Sequence, residues 1–282
     1  MHPGDEQARG TSRSGWRSDT LLLAIVLLVA TARAEPPAGM SPIPILVYHR
    51  FGPIVTDAMT VTTSTFASHL EYLAGHGYTV IPLRALVGAL RGSAPQPPPR
   101  SVVITADDGH RTVYSEMLPL VRRFQVPVTL FVYPSAISRA DYALTWDQLR
   151  DLRATGLVDV QSHTFWHPNF RVEKRRLAPA AYDAFVTNQL VRSRRMLESQ
   201  LDGSVDLLAW PFGIVDDELA AKAAAAGYMA GFTIERRHVR AGDSLLKLPR
   251  YLMTDADRGK AFEALLTDGA PRREPSMEKR AP

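Results

Sequence analysis

SVVITADDG, residues 101–109, is the stretch from which the fold is read. Val102, Val103 and Ile104 form a short β-branched apolar run, the composition of a buried strand. The run ends in two adjacent carboxylates, Asp107 and Asp108, followed by Gly109. Asp and Gly are ordinary turn formers, so the triplet alone reads equally well as a polar turn. A strand that stops at two acids also sets a carboxylate pair on the rim of a parallel sheet or barrel. That rim is where α/β proteins keep their chemistry.

Working outward, residues 43–48 read as a strand ending at His49. A helix follows over 64–76, capped by Thr63 or Ser64 and stopped by Gly77, with Phe66, Leu70 and Leu73 at helical spacing. Further strands are expected at 78–82, 126–133, 157–161, 206–210 and 229–234. Helices are expected at 83–90, 113–124, 146–154, 179–201, 216–226 and 259–266. Residues 92–100, with four prolines, and 162–170 read as loops, and 246–252 as an extended segment. Strand and helix thus alternate about seven times, without a long linker or an internal repeat. The fold class expected is α/β: a distorted (β/α) barrel of about seven parallel strands, one domain over 43–267. An open doubly wound sheet is the alternative. No G-x-G-x-x-G follows a strand, so nothing points to a dinucleotide.

Composition narrows the chemistry. Lys and Arg number 33 against 29 Asp and Glu, a net charge of +4, with no basic stripe interleaved with aromatics; no nucleic-acid partner is expected. Cysteine is absent, which excludes disulfides, thiol nucleophiles and thiolate metal sites. Any metal must therefore be held by His, Asp or Glu. Residues 1–34 read as an export signal. Arg9, Arg13 and Arg17 precede the apolar run LLLAIVLLVA at 21–30, and Ala32-Arg33-Ala34 is a small-x-small cleavage site. The apolar run falls short of the roughly 20 residues of a membrane span. The mature protein is expected to be periplasmic or secreted, without a stable membrane span after cleavage; an uncleaved anchor is the alternative. Residues 268–282, charged and proline-bearing, are expected to be a disordered tail.

Two more motifs stand at strand ends. In SHTFWH, residues 162–167, His163 and His167 are separated by three residues, a spacing that brings both imidazoles to one side of a turn or tight loop. One such pair alone reads as two surface or core histidines. Together with Asp108 it offers two imidazoles and a carboxylate, a donor set suited to zinc or a similar divalent ion with a position left for water. In AWPFG, residues 209–213, Pro211 and Gly213 fix the backbone around Phe212, whose N–H is a candidate oxyanion donor; a plain strand-to-helix turn reads equally well. Trp166, Trp210 and Tyr251 are aromatics near strand ends that either meet sugar rings or pack the rim.

With these residues in place, the chain resembles the polysaccharide deacetylases with a NodB-homology domain, carbohydrate esterase family four. Thr105-Ala106-Asp107-Asp108-Gly109 matches that family's T-F-D-D-G motif, and His163-Thr-Phe-Trp-His167 its H-[ST]-x-x-H motif; AWPFG resembles the third. The opening VYHR and the late LPR ending at Arg250 are similar to the poly-N-acetylglucosamine deacetylase subgroup. The resemblance implies an exported N-deacetylase acting on an acetylated polysaccharide. It implies a divalent metal, zinc first with cobalt, nickel or iron as alternatives, on Asp108, His163 and His167. Asp107 would be the general base, and the Phe212 N–H an oxyanion donor. An O-acetyl xylan-type esterase and a glycan-binding pseudoenzyme on the same fold are the competing readings.

The chain departs from the pattern in three places. Ala106 replaces the aromatic of the first motif, and Ala209 the arginine that precedes the proline of the third. Arg250 is the expected substitute for that arginine in orienting Asp107. The family's late L-x-H histidine, its usual general acid, is not found. His49 and His110 are the candidates for its place, and each also reads as structural, His49 packed at a strand end and His110 at a helix start.

Overall fold

The computed structural model describes residues 40–267. The expected export signal, 1–34, and tail, 268–282, lie outside the described residues. The first half runs through β1 (Ile45–Tyr48), β2 (Arg50–Gly52), β3 (Thr60–Thr62), α1 (Thr63–Gly75), β4 (Thr79–Val80), α2 (Leu83–Leu90) and β5 (Ser101–Ala106). After one π-turn at Val113–Met117 come α3 (Leu118–Phe124), β6 (Val128–Val132), α4 (Trp146–Ala154), β7 (Val158–Ser162), α5 (Phe170–Arg176) and α6 (Pro179–Leu201). The chain ends with β8 (Leu207–Ala209), α7 (Asp217–Ala225), β9 (Ala230–Phe232), β10 (Tyr251–Leu252) and α8 (Lys260–Leu266).

Seven strands lie in the order β10-β1-β5-β6-β7-β8-β9, all parallel, with β4 added beside β5. This is the single-domain α/β arrangement expected from the alternation. The sheet curls into an incomplete barrel whose edges meet at Leu248, which bridges to Phe232 on β9 just before the chain enters β10.

Side chains on a strand alternate between faces, and here each face has its own core. Ile45, Val103, Phe131, Leu207, Ala209, Ala230 and Phe232 point inward and pack with Leu83, Leu86 and Val87 of α2, which covers the end where the strands begin. Leu46, Tyr48, Val102, Ile104, Leu130, Val160 and Leu208 point outward beneath the helices. On β5 the inward set is therefore Val103, Thr105 and then Asp107; on β7 it is Asp159, Gln161 and then His163. The pleat alone aims one acid and one imidazole into the open mouth of the barrel.

The structure corrects the sequence reading locally. The cap of α1 is Thr62, whose hydroxyl accepts from the Thr65 N–H, rather than Thr63 or Ser64. Residues 170–176 are a helix, capped by Asn169, where no element was expected. Residues 246–252 are not continuously extended: a 3-10 turn, Leu245–Lys247, precedes the short β10. Arg50–Gly52 and Thr60–Thr62 form a small parallel pair not visible in the pattern. Among the described residues, no helix is long and apolar enough to cross a membrane.

His69 of α1 anchors β1 from outside. Its ring stacks on Phe262 at 4.0 Å, Nε2–H donates to the Asp257 carbonyl, and Nδ1 accepts from the Tyr48 hydroxyl at 3.0 Å. Burial, only partly opposed by Asp257, lowers its pKa to about 4. The unfolded chain takes up this proton near pH 6.5 and the folded one only near 4. The stability His69 contributes is thus complete above pH 6.5 and drains away down to pH 4, by about 3 kcal/mol. Urea unfolding from pH 7 to 4 is expected to show wild type losing that much more than His69→Gln; parallel curves would contradict it.

Candidate active site

The mouth of the barrel collects the residues singled out from the sequence. Asp107 continues the ladder beyond β5, its N–H bonded to the Tyr48 carbonyl at 2.9 Å. His163 does the same beyond β7, donating to the Val132 carbonyl at 2.8 Å. The backbone then breaks out of the sheet through left-handed conformations. Asp108 has φ 71°, Thr164 64°, His167 62° and Phe212 56°. Such values cost non-glycine residues roughly 1–3 kcal/mol each, and they concentrate here. The loop after His163 is held by its own hydroxyls: Ser162 Oγ accepts from the Thr164 N–H and Thr164 Oγ1 from the His167 N–H, both at 3.2 Å. The histidine pair is therefore made by a tight loop rather than a helical turn.

Asp108 Oδ1 lies 3.6 Å from His163 Nε2 and 3.7 Å from His167 Nε2, and the three candidate ligand atoms all fall within 4.8 Å of one another. Asp108 Oδ1 is buried and accepts no hydrogen bond. The Nδ1–H of His163 donates to the Ala209 carbonyl at 2.8 Å, which turns Nε2 toward the carboxylate. Burial lowers the His167 pKa to about 4, so this imidazole is neutral at pH 7. A tetrahedral ion with bonds of about 2.0–2.1 Å has ligand–ligand edges of about 3.3 Å. The cluster thus fits a divalent ion in donor type and spacing.

Asp107 is buried beside this cluster, its Oδ2 3.8 Å from His163 Nε2. Arg250, 0 % exposed, grips it with both arms: Nη1 donates to Oδ1 at 2.9 Å and Nη2 to Oδ2 at 2.7 Å. Arg250 Nε donates to the Thr233 carbonyl and Nη1 also to Thr105 Oγ1, while Phe131 lies 5.5 Å beneath the guanidinium. Burial alone would raise the Asp107 carboxyl. The charge of Arg250, with its two hydrogen bonds, outweighs it and holds the pKa at about 2.

His49, at the end of β1, has a buried Nδ1 with no hydrogen-bond partner. Burial lowers its pKa, against the pull of Asp108 and Asp107. His110 is different: its Nδ1 meets Thr112 Oγ1 at 2.9 Å and its ring stacks on Tyr142. Phe212 is half exposed, its ring 4.7 Å from that of His167. Trp166 is exposed at the rim, but Trp210 and Tyr251 are buried and present no surface to a sugar. Trp210 packs on Phe170 and donates its indole N–H to the Leu246 carbonyl. Sequence reasoning overlooked Tyr133, whose ring is 5.4 Å from that of His167. Its place just past β6, in line with the other strand ends, was the available signal.

The polysaccharide deacetylase family model matches residues 94–231. A poly-beta-1,6-N-acetyl-D-glucosamine N-deacetylase of Staphylococcus aureus is 25% identical over 212 residues, 73% of this chain and 71% of that protein. The fold is shared with Streptococcus pyogenes deacetylase PplD, solved with acetate, at TM-score 0.72 and 22% identity over 80% of this chain and 99% of that one. It is shared also with IcaB from Ammonifex degensii, at TM-score 0.70 and 22% identity over 80% of this chain and 97% of that one.

Proposed function

Because the chain belongs to the polysaccharide deacetylase family, we propose that it is a metal-dependent hydrolase releasing acetate from the acetamido groups of an N-acetylglucosamine polymer. The observation that carries this is the pairing of two unlike acids: Asp107 locked ionised by Arg250, beside Asp108 presented without a hydrogen bond to two imidazoles. A glycan-binding protein has no use for that division. The polymer assignment is supported by the activity named for the Staphylococcus relative. The export features of residues 1–34 support a periplasmic or secreted location.

Asp108, His163 and His167 would hold the ion. Bound there, a divalent ion such as zinc supplies polarisation of the acetyl carbonyl and a lowered pKa for a water. Asp107 takes the proton from the attacking water. A carboxylate of pKa about 2 is a weak base, but its proton-accepting form is present at any working pH, and Arg250 fixes the direction of its lone pairs. The Phe212 N–H, held between Pro211 and Gly213, donates to the oxyanion. The proton that Asp107 has taken then passes to the departing amine, and the unpartnered Nδ1 of His49 faces the same buried end of the site.

The test is acetate release by the metal-loaded protein from β-1,6-linked N-acetylglucosamine oligomers, set beside acetylated xylan fragments. Release from the amino-sugar oligomers is expected. Release from xylan alone would replace the amide reading with an ester one, and oligomer binding without release from any substrate would make the chain a lectin.

A further inference from the structure

Beside the metal cluster stands a group of three aromatic side chains that the chemistry above does not use. The Tyr133 ring lies 5.4 Å from that of His167, and its hydroxyl meets the Tyr142 hydroxyl at 2.7 Å. Tyr142 in turn lies parallel to the His110 ring, with centroids 6.2 Å apart and planes within 11°. The row leads outward from the cluster, from ring to ring. Tyr142 is its outer member and is 41% exposed, although burial would reward so large a ring.

The segment that carries Tyr142 is rigidly fastened. His110 and Ala143 form an antiparallel bridge, the Arg111 N–H donates to the Tyr142 carbonyl at 2.7 Å, and the Leu144 N–H donates to the Gly109 carbonyl at 2.9 Å. Ser138 N–H closes the loop onto the Leu144 carbonyl at 3.0 Å. The loop after β6 is thus stitched to the turn that holds both acids. An exposed aromatic ring on a fixed backbone, with one side backed by His110 and the hydroxyl tethered, loses little entropy when a ligand covers it. Its face is negative and apolar, suited to the C–H face of a pyranose, while a hydroxyl-rich ligand edge remains in water.

We propose that Tyr142, backed by His110 and tethered through Tyr133, is a stacking platform for the sugar unit next to the one losing its acetyl group. The proposal rests on the deacetylase reading, and it adds that the enzyme prefers chains over single sugars. Tyr133 spans the gap between the metal ligands and the platform, so a monomer in the reacting position does not reach Tyr142.

Calorimetric titration of the chelated protein with the β-1,6-linked N-acetylglucosamine pentamer and with the monomer tests this, alongside kinetics of the metal-loaded protein. In Tyr142→Ala the advantage in Kd of pentamer over monomer is expected to shrink about tenfold, and KM for the pentamer to rise about tenfold with kcat within twofold. Tyr142→Phe, which keeps the ring and loses only the tether, should recover most of both. An unchanged pentamer Kd in Tyr142→Ala, or no pentamer binding by wild type, overturns the platform. Acetate release with unaltered KM in Tyr142→Ala sinks the platform and leaves the deacetylase standing. Tyr142-dependent binding without acetate release does the reverse.

Discussion

Asp107→Asn is expected to unfold about 3–5 kcal/mol more easily than wild type and to release acetate at least about 100-fold more slowly. The two losses have different causes. Asparagine cannot take a proton from water, which removes the base. It also cannot balance Arg250, which is fully buried and directs both arms at position 107. A buried guanidinium without its counter-charge is the costly case, more so than the absence of the pair altogether. The double variant Asp107→Asn, Arg250→Met separates the effects. Methionine fills the space over Phe131 without a charge, so urea stability should return most of the way to wild type. Acetate release should stay low, because nothing restores the base. A single variant that keeps acetate release within threefold of wild type would dismiss Asp107 as the base. A double variant no more stable than the single one would dismiss the stranded charge as the cause.

How much of this was legible beforehand follows from the range of the forces involved. The parallel strands are apolar runs buried on both faces, so β5, β6 and β1 could be read directly from Val102–Ile104 and its counterparts. The strand-end positions of Asp107, Asp108, His163 and Phe212 came with them, since the pleat fixes which side chain turns inward. What could not be read were contacts with no local signature. The Arg250 grip has none: it was expected only from the resemblance, in place of the arginine missing at 209, and it joins residues 143 positions apart because the closing of the barrel brings β10 beside β1, one strand from β5. Residues 170–176, FRVEKRR, carry too little apolar periodicity to announce a helix; Asn169 at the cap and the packing of Phe170 on Trp210 decide it. Trp210 and Tyr251 read as possible sugar-binding rings because composition does not say which face of a strand end is covered. The left-handed backbone at Thr164 and His167 is invisible for the same reason: a β-branched residue there is a local misfit imposed by the loop it must close.

The metal cluster makes the second large effect, and the useful variant is Asp108→Asn. Position 108 has φ 71°, which asparagine tolerates and alanine does not, so alanine would add backbone strain to any loss of ligand. Asp108 Oδ1 is a buried carboxyl oxygen with no hydrogen-bond partner, 3.6 Å from His163 Nε2 and 3.7 Å from His167 Nε2. Its replacement by a neutral amide should therefore leave the chelated protein at least as stable as chelated wild type. With metal the order reverses. An ion present at about 1,000 times its Kd stabilises the folded state by about 4 kcal/mol, a rise in Tm of roughly 8–16 °C for a domain of this size. Wild type should show that rise on adding zinc, and Asp108→Asn should show almost none. Acetate release should vanish on chelation, return with zinc, cobalt or nickel in wild type, and stay at least about 1,000-fold down in the variant. A purely structural role for Asp108 predicts the opposite pattern, a variant destabilised without metal and activity indifferent to chelation. A metal-dependent Tm that survives Asp108→Asn would move the ion away from this carboxylate, and the division of labour between the two acids would go with it.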